Sequence, residues 1–185
     1  GFGIDEFLIT GKVASPPPVA AFAVSDSVIC AGDCVSFTDL SSGNPTSWFW
    51  VFQGAATGFS TAQNPGPVCF NNPGTYDVTL IVGSAAGSDT LTVTTITVNS
   101  NPNPPVITFS GDTLFATPGF ASYQWFLNDT VIAGANSSSY LTTSNGSYSV
   151  VVADSNGCSA ESDTLNFSTG LYAESGAVMF EVYPN

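Results

Sequence analysis

Residues Thr75–Val82 read TYDVTLIV, and Asp89–Val98 read DTLTVTTITV. Thr, Val, Ile and Tyr dominate both runs, and these side chains suit the pleated, half-buried surface of a strand better than a helix. Trp48–Phe52 (WFWVF) is a third run of the same kind. Alternate residues of a strand share a face. That rule places Trp50 and Phe52 in a core, Trp48 at its rim and Phe49 outward.

The same grammar extends in both directions. Val19–Ser25 and Cys34–Asp39 (CVSFTD) read as strands before the aromatic run, with Ser41–Thr46 (SSGNPT) as a turn cluster. Val68–Phe70 is another strand, divided from Thr75–Val82 by the turn Asn71–Gly74. Short strands with turns at this pitch indicate a β-sandwich. Ala14–Pro18 (ASPPP) and Ser100–Pro105 (SNPNPP) are stiff, extended linkers, because consecutive prolines cannot join a sheet interior. A second set of strands follows: Val106–Ser110, Thr113–Ala116, Ser122–Leu127, Ser139–Thr142, Ser147–Ala153 and Asp163–Phe167. Trp125 is its core aromatic. Its turns, Asn128–Asp129, Asn145–Gly146 and Asn156–Gly157, use residues that accept positive φ. The expected organisation is therefore all-β with two tandem sandwich modules, 14–99 and 106–168, joined by the linker 100–105. Residues 1–13 read as the last strand of an upstream domain plus linker. Residues 169–185 read as a polar spacer and one more apolar strand. No basic start and apolar core mark Gly1–Gly11 as a signal peptide, so the chain is expected to be an internal segment of a longer one.

Composition excludes several function classes. Hydrophobic residues make up 43 % of the chain and charged residues 8 %, too apolar for a disordered chain. Lys12 is the only basic residue, against 14 acidic ones, and there is no His. Nothing can clamp phosphates, so nucleic acid is excluded as a partner. An anionic membrane surface repels a net charge of -13. No run approaches the roughly 20 apolar residues of a membrane-spanning helix, so direct membrane insertion is not expected.

Catalysis is not expected either: a nucleophile needs a neighbouring base, usually His, and the aspartates fall in turns, where they serve as local backbone acceptors. No metal site is expected from ligand spacing, and the expected cofactor list is empty apart from calcium. Asp33, Asp39 and Asp77 are weak candidates for its oxygen ligands. The four cysteines (Cys30, Cys34, Cys69 and Cys158) lack the paired spacing of zinc knuckles and point instead to an oxidising compartment and a disulfide.

Several motifs resemble known families. Val35–Asp39 (VSFTD), Pro45–Phe52 (PTSWFWVF), Gln63-Asn64-Pro65 and Pro73–Leu80 (PGTYDVTL) together resemble a PKD domain, an Ig-like sandwich common in secreted bacterial proteins. The family's usual W-x-F-G-D-G is here Trp50-Val51-Phe52-Gln53-Gly54-Ala55, without the acidic turn residue. Ser122–Asn128 (SYQWFLN), Ile132–Ala135 (IAGA), Gly146–Val150 (GSYSV) and Asn156-Gly157-Cys158 resemble an Ig-like repeat of Bacteroidota surface proteins. Phe180–Asn185 (FEVYPN) resembles the opening of a type IX secretion sorting domain.

These resemblances carry expectations of their own. The fold becomes two tandem Ig-like β-sandwiches with short flanking strands. In a PKD fold the strand bearing Cys69 pairs with the strand opened by Cys34, which implies a Cys34–Cys69 disulfide. Cys30–Cys34 is the alternative, and Cys158, with no partner in its own module, is expected to be free. Bacteroidota attach O-glycans within Asp-Ser/Thr-apolar tripeptides, which makes Ser27, Thr90, Thr113, Thr130 and Thr164 candidates; the competing origin is ordinary turn-to-strand grammar. Phe49 is the candidate ligand-facing aromatic. The expected function is a non-catalytic stalk or display segment of a secreted cell-surface protein, at the outer-membrane surface and exported through the type IX translocon. The alternative is an accessory module that binds carbohydrate or protein for a secreted hydrolase whose catalytic domain lies upstream.

Overall fold

The structure, a computed structural model, describes residues 15–168. The expectations for residues 1–13 and 169–185 lie outside the described residues. The chain divides into two compact units, with the boundary between Asn99 and Ser100.

Among its described residues the first unit holds nine strands: β1 (Phe22–Val24), β2 (Val28–Cys30), β3 (Cys34–Val35), β4 (Phe37–Asp39), β5 (Ser47–Phe52), β6 (Phe59–Ser60), β7 (Val68–Cys69), β8 (Gly74–Ser84) and β9 (Gly87–Asn99). A five-stranded sheet runs in the order β2-β9-β8-β5-β6, antiparallel except for the parallel pair β2–β9. Two short antiparallel pairs, β1–β4 and β3–β7, complete the set. The core gathers alternate residues of the strands. Trp50 and Phe52 from β5, Val78, Leu80 and Val82 from β8, and Ile96 and Val98 from β9 meet Val35, Phe37, Val68 and Phe70 in one buried cluster.

Apolar alternation in β9 changes phase between Leu91 and Ile96, and a β-bulge lies there, between the pairs Tyr76–Ile96 and Asp77–Thr94. The extra residue restores the apolar side chains to the inner face, since a one-residue slip would otherwise turn them outward. The expected single strand Cys34–Asp39 is in fact two. Its first part pairs with β7 and its second with β1, so the segment changes partners at Ser36. The expected strand Val19–Ser25 shrinks to β1, with Val19 held only by a bridge to Ser42.

The second unit holds β10 (Ile107–Ser110), β11 (Thr113–Ala116), β12 (Ser122–Leu127), β13 (Thr130–Val131), β14 (Ser139–Leu141), β15 (Gly146–Ala153), β16 (Ser159–Glu161) and β17 (Leu165–Phe167). One sheet runs β10-β11-β14. The other runs β13-β12-β15-β16, and β17 also pairs with β15. Leu114, Ala116, Trp125, Tyr148, Val150, Val152 and Phe167 form the core. Asn128 and Asp129 carry φ of 48° and 60° in a two-residue connection between Leu127 and Thr130. Two successive positive φ values match the right-handed twist of a tight hairpin, and Asn and Asp tolerate them best after Gly.

The two units repeat the same fixing devices. Trp50 Nε1 donates to the Ala62 carbonyl at 3.0 Å, and Trp125 Nε1 donates to the Ser137 carbonyl at 2.9 Å. Tyr76 donates its hydroxyl to the Asn72 carbonyl at 2.9 Å, and Tyr148 to the Ser144 carbonyl at 2.7 Å. Each tyrosine follows a Gly-Thr or Gly-Ser start to its strand, so GTY at Gly74 and GSY at Gly146 mark the same corner. A buried Trp and a tyrosine tied back to the preceding turn are hallmarks of Ig-type sandwiches. Two turn glycines of the first unit plainly need their freedom: Gly43, at a φ of +78°, where an added Cβ would run into the Pro17 and Pro18 backbone, and Gly54, at +71°, where it would run into the Tyr76 ring.

Candidate functional site

Three features of the first unit bear on function: a carboxylate knot at Asp39, an aromatic pair on the outer sheet face, and a disulfide.

Asp39 ends β4, and three donors converge on it. Trp48 Nε1 reaches Oδ2 at 2.7 Å and Gln63 Nε2 reaches the same oxygen at 3.0 Å, while the Ser41 amide reaches Oδ1 at 2.9 Å. Burial raises the pKa of this carboxyl, but the bonds from Ser41, Gln63 and Trp48 outweigh it, so the net pKa lies below the ordinary carboxylate value. The knot joins β4 to the start of β5 and to the loop around Gln63, and it fills a role that sequence reasoning assigned only loosely to a turn. Asp39→Ala is expected to lower the stability of the first unit by about 1.5–3 kcal/mol, the usual worth of hydrogen bonds to a charged acceptor. Because the folded pKa is lowered, the stabilisation is complete above the unfolded carboxylate range and is lost as pH falls through the folded value. Denaturant titrations of native and Asp39→Asn chains over a pH series read this as a stability gap that closes on acidification.

The three calcium candidates do not meet. Asp39 sits in the knot just described. Asp33 Oδ2 accepts the Cys30 amide at 2.9 Å, closing the turn between β2 and β3. Asp77 lies on β8 at the bulge, where its carbonyl accepts the Gln53 amide at 3.1 Å. Among the described residues no three His, Cys, Asp or Glu side chains are grouped to hold a metal ion.

Cys34 and Cys69 face each other in the β3–β7 ladder and are joined by a disulfide. The expectation that Cys158 is a free thiol is corrected: among the described residues no cysteine is free. Its sequence neighbourhood offers no partner, and spacing alone carries no information about residues distant in the chain.

Phe49 points outward, as alternation requires, and is 40 % exposed. Sequence reasoning missed its neighbour. Phe59, in the Gly- and Ser-rich stretch after β5, is 63 % exposed and stacks on Phe49, with ring centroids 6.0 Å apart and planes at 26°. No alternation flags a strand of two residues, so only the β5–β6 pairing reveals it.

Of the glycosylation candidates, Ser27, Thr90, Thr130 and Thr164 are exposed, and Thr113 is half-buried on the central strand of its sheet. Two of the associated aspartates have local duties: Asp26 Oδ1 accepts the Val28 amide and Asp89 Oδ2 accepts the Ala20 amide. No helix among the described residues is long and apolar enough to cross a membrane.

No curated protein matches the chain. Among solved structures, a solution structure from Methanosarcina mazei is 31 % identical over 54 % of this chain and 63 % of that one, with a TM-score of 0.36. The chain thus spans less than two thirds of that protein's length. The fibronectin(III)-like modules of Clostridium thermocellum CbhA are 11 % identical over 78 % of this chain and 91 % of theirs, with a TM-score of 0.43. The Bacteroides ovatus mixed-linkage glucan utilization locus protein SGBP-B, solved with a mixed-linkage heptasaccharide, is 16 % identical over 76 % of this chain and 42 % of its own, with a TM-score of 0.32. The sheet order, the buried Trp50 and the Tyr76 corner accord with the family match: residues 15–99 match the PKD domain.

Proposed function

We propose that the two units are non-catalytic spacer and display modules of a secreted bacterial surface protein, exported by type IX secretion to the outer-membrane surface. The observation that carries this is the way both units treat their inward polar groups. Asp39, both core tryptophans and both corner tyrosines hold strands together through hydrogen bonds, so these polar groups serve the fold. A disulfide in a small sandwich favours an oxidising, extracytoplasmic setting. Two self-contained cores joined by a Pro- and Asn-rich linker suit a role in setting distance. The translocon is the partner proposed for the C-terminal region. The exposed candidates Ser27, Thr90, Thr130 and Thr164 are proposed to carry O-glycans, with Thr113 a poorer acceptor.

One experiment addresses both parts. The full-length protein, epitope-tagged in its native host, is expected on the cell surface, open to added protease, and is expected to accumulate in the periplasm when the type IX translocon is disabled. Surface display that persists without the translocon overturns the export route. Peptide masses of the same purified material are expected to show added hexose-type mass on the peptide bearing Thr90, and bare peptides throughout overturn the modification.

The second reading, an accessory module that holds a polymer near an upstream hydrolase, is favoured by one observation only: the outward Phe49–Phe59 pair.

A further inference from the structure

Asn145 and Asn156 are each followed by glycine. The backbone nitrogen after an asparagine can attack the side-chain carboxamide carbon, and glycine, with no Cβ, hinders that approach least. The attack requires the peptide plane between the two residues to turn until the nitrogen meets Cγ. Both sites lie in the second unit, and they differ in how firmly that plane is held. Gly146 opens β15 and stands opposite Phe167 of β17 in their ladder. An added Cβ there would run into the Leu127 and Asn128 side chains, so the backbone is closely packed on that side. The Ser147 amide donates to Asn128 Oδ1 at 2.9 Å, and the Ser147 carbonyl accepts the Asn128 amide at 2.7 Å. Tyr148 ties down the Ser144 carbonyl on the other side of Asn145. Turning the plane at Asn145 therefore pulls against bonds before and after it. Asn156 and Gly157 are both exposed, in the loop between β15 and β16. A Cβ built on Gly157 meets nothing within 4 Å. The frame of the loop is closed by other residues. The Asp154 amide donates to the Cys158 carbonyl at 2.9 Å, and Asp154 Oδ1 accepts the Asn156 and Cys158 amides at 2.8 and 2.9 Å. The Gly157 amide donates to the Asp154 carbonyl at 3.2 Å, the long end of the usual range. The plane at Asn156 can turn at the expense of that long bond while the frame stays closed.

We propose that Asn156 is a self-modifying site, at which the folded chain converts asparagine to isoaspartate and aspartate without an enzyme. The Gly157 nitrogen gives its proton to solvent and bonds to Cγ of Asn156. The Cγ–Nδ2 bond breaks, and ammonia leaves with a proton from water. Water then adds to one carbonyl of the cyclic imide and opens the ring. Opening at one carbonyl leaves aspartate. Opening at the other leaves isoaspartate, in which the main chain runs through the former side chain. Water is consumed and ammonia released, and nothing is oxidised or reduced. Either product places a second carboxylate near Asp154, and like charges in one loop repel. The chain has one basic residue against 14 acidic ones, so little is at hand to offset the added charge. Isoaspartate also lengthens the main chain by one carbon inside the loop. Both changes loosen the bonds that Asp154 Oδ1 accepts from Asn156 and Cys158, and with them the start of β16. The conversion runs one way, so its extent records how long a copy of the chain has stood in water.

The test is a time course on the full chain at mildly alkaline pH, beside a sample held unfolded in guanidinium. Peptide masses read the change from amide to acid at each asparagine, and labelling by protein-isoaspartate methyltransferase reads the isoaspartate. In the unfolded sample the two Asn–Gly pairs are expected to convert at similar rates. In the folded chain Asn156 is expected to convert about tenfold or more faster than Asn145, since each hydrogen bond that must open first costs up to about that factor. Asn156→Gln is expected to abolish most of the methyltransferase signal, because the longer side chain closes its ring far more slowly. An unchanged thermal unfolding midpoint verifies that this variant folds. Equal rates at the two sites of the folded chain, or a faster Asn145, overturn the proposal. So does an Asn156 that stays intact in the folded chain after the unfolded sample has converted, and so does a methyltransferase signal that the glutamine variant leaves in place.

Discussion

Replacing Trp50 with alanine is expected to destabilise the first unit by about 3–5 kcal/mol, the range for deleting a buried aromatic. That loss is a large share of the 5–15 kcal/mol that holds a typical domain folded. Trp50 is fully buried and stands among Phe22, Phe37 and Phe52, at centroid distances of 5.4, 5.7 and 6.0 Å. Its neighbours come from strands of the large sheet and from the β1–β4 pair, so no single element can move to fill the void. The substitution also removes the donor to the Ala62 carbonyl. Trp50→Phe keeps most of the volume but not that donor, and is expected to recover more than half of the loss. Guanidinium denaturation of the three chains measures both effects, and an alanine variant within 1 kcal/mol of the native chain would contradict this account of the core.

The second large effect belongs to the Cys34–Cys69 bond. It spans 35 residues, and closing a loop of that length in the unfolded chain stabilises the fold by roughly 3–4 kcal/mol in the chain-entropy description. The bond also has local work. β3 and β7 are two residues each, too short a ladder to persist unaided, and they carry the buried Val35 and Val68. The double variant Cys34→Ser/Cys69→Ser is therefore expected to unfold at a lower denaturant concentration by about that free energy. Substitution is preferable to a reductant because no cysteine among the described residues is free, and a reductant would not act on this bond alone. Hydrogen exchange is expected to rise first at the β3 and β7 amides, since they lose the tie that keeps them in register.

Much of the fold was legible because strand alternation is local. WFWVF assigns Trp50 and Phe52 inward and Phe49 outward from the two-residue repeat alone, and the structure buries the first two and exposes the third. In TYDVTLIV the buried Val78, Leu80 and Val82 stand at the same two-residue spacing. The turn at Asn128–Asp129 was legible for a related reason: few residue types accept two successive positive φ values, so their identity reports the backbone.

Pairing between distant segments was less legible. CVSFTD reads as one strand, but it lies where one short ladder ends and another begins, and local pattern does not mark a change of partner. β2 exists because the end of β9 offers it a parallel edge, and β6 because β5 offers it an antiparallel one. Neither has enough residues to show a period. Phe59 was missed for that reason, and with it half of the outer aromatic pair.

By itself, then, the sequence determined the all-β architecture, the faces of its long strands, and the exclusion of phosphate-binding and histidine-based chemistry, because these follow from residue type and from a two-residue repeat. Tertiary structure alone decided which carboxylate gathers the donors of Trp48, Gln63 and Ser41, and which exposed aromatics stack on each other. Those relations depend on loop closure and on hydrogen bonding between ladders far apart in the chain, and no local window contains both ends of such a contact.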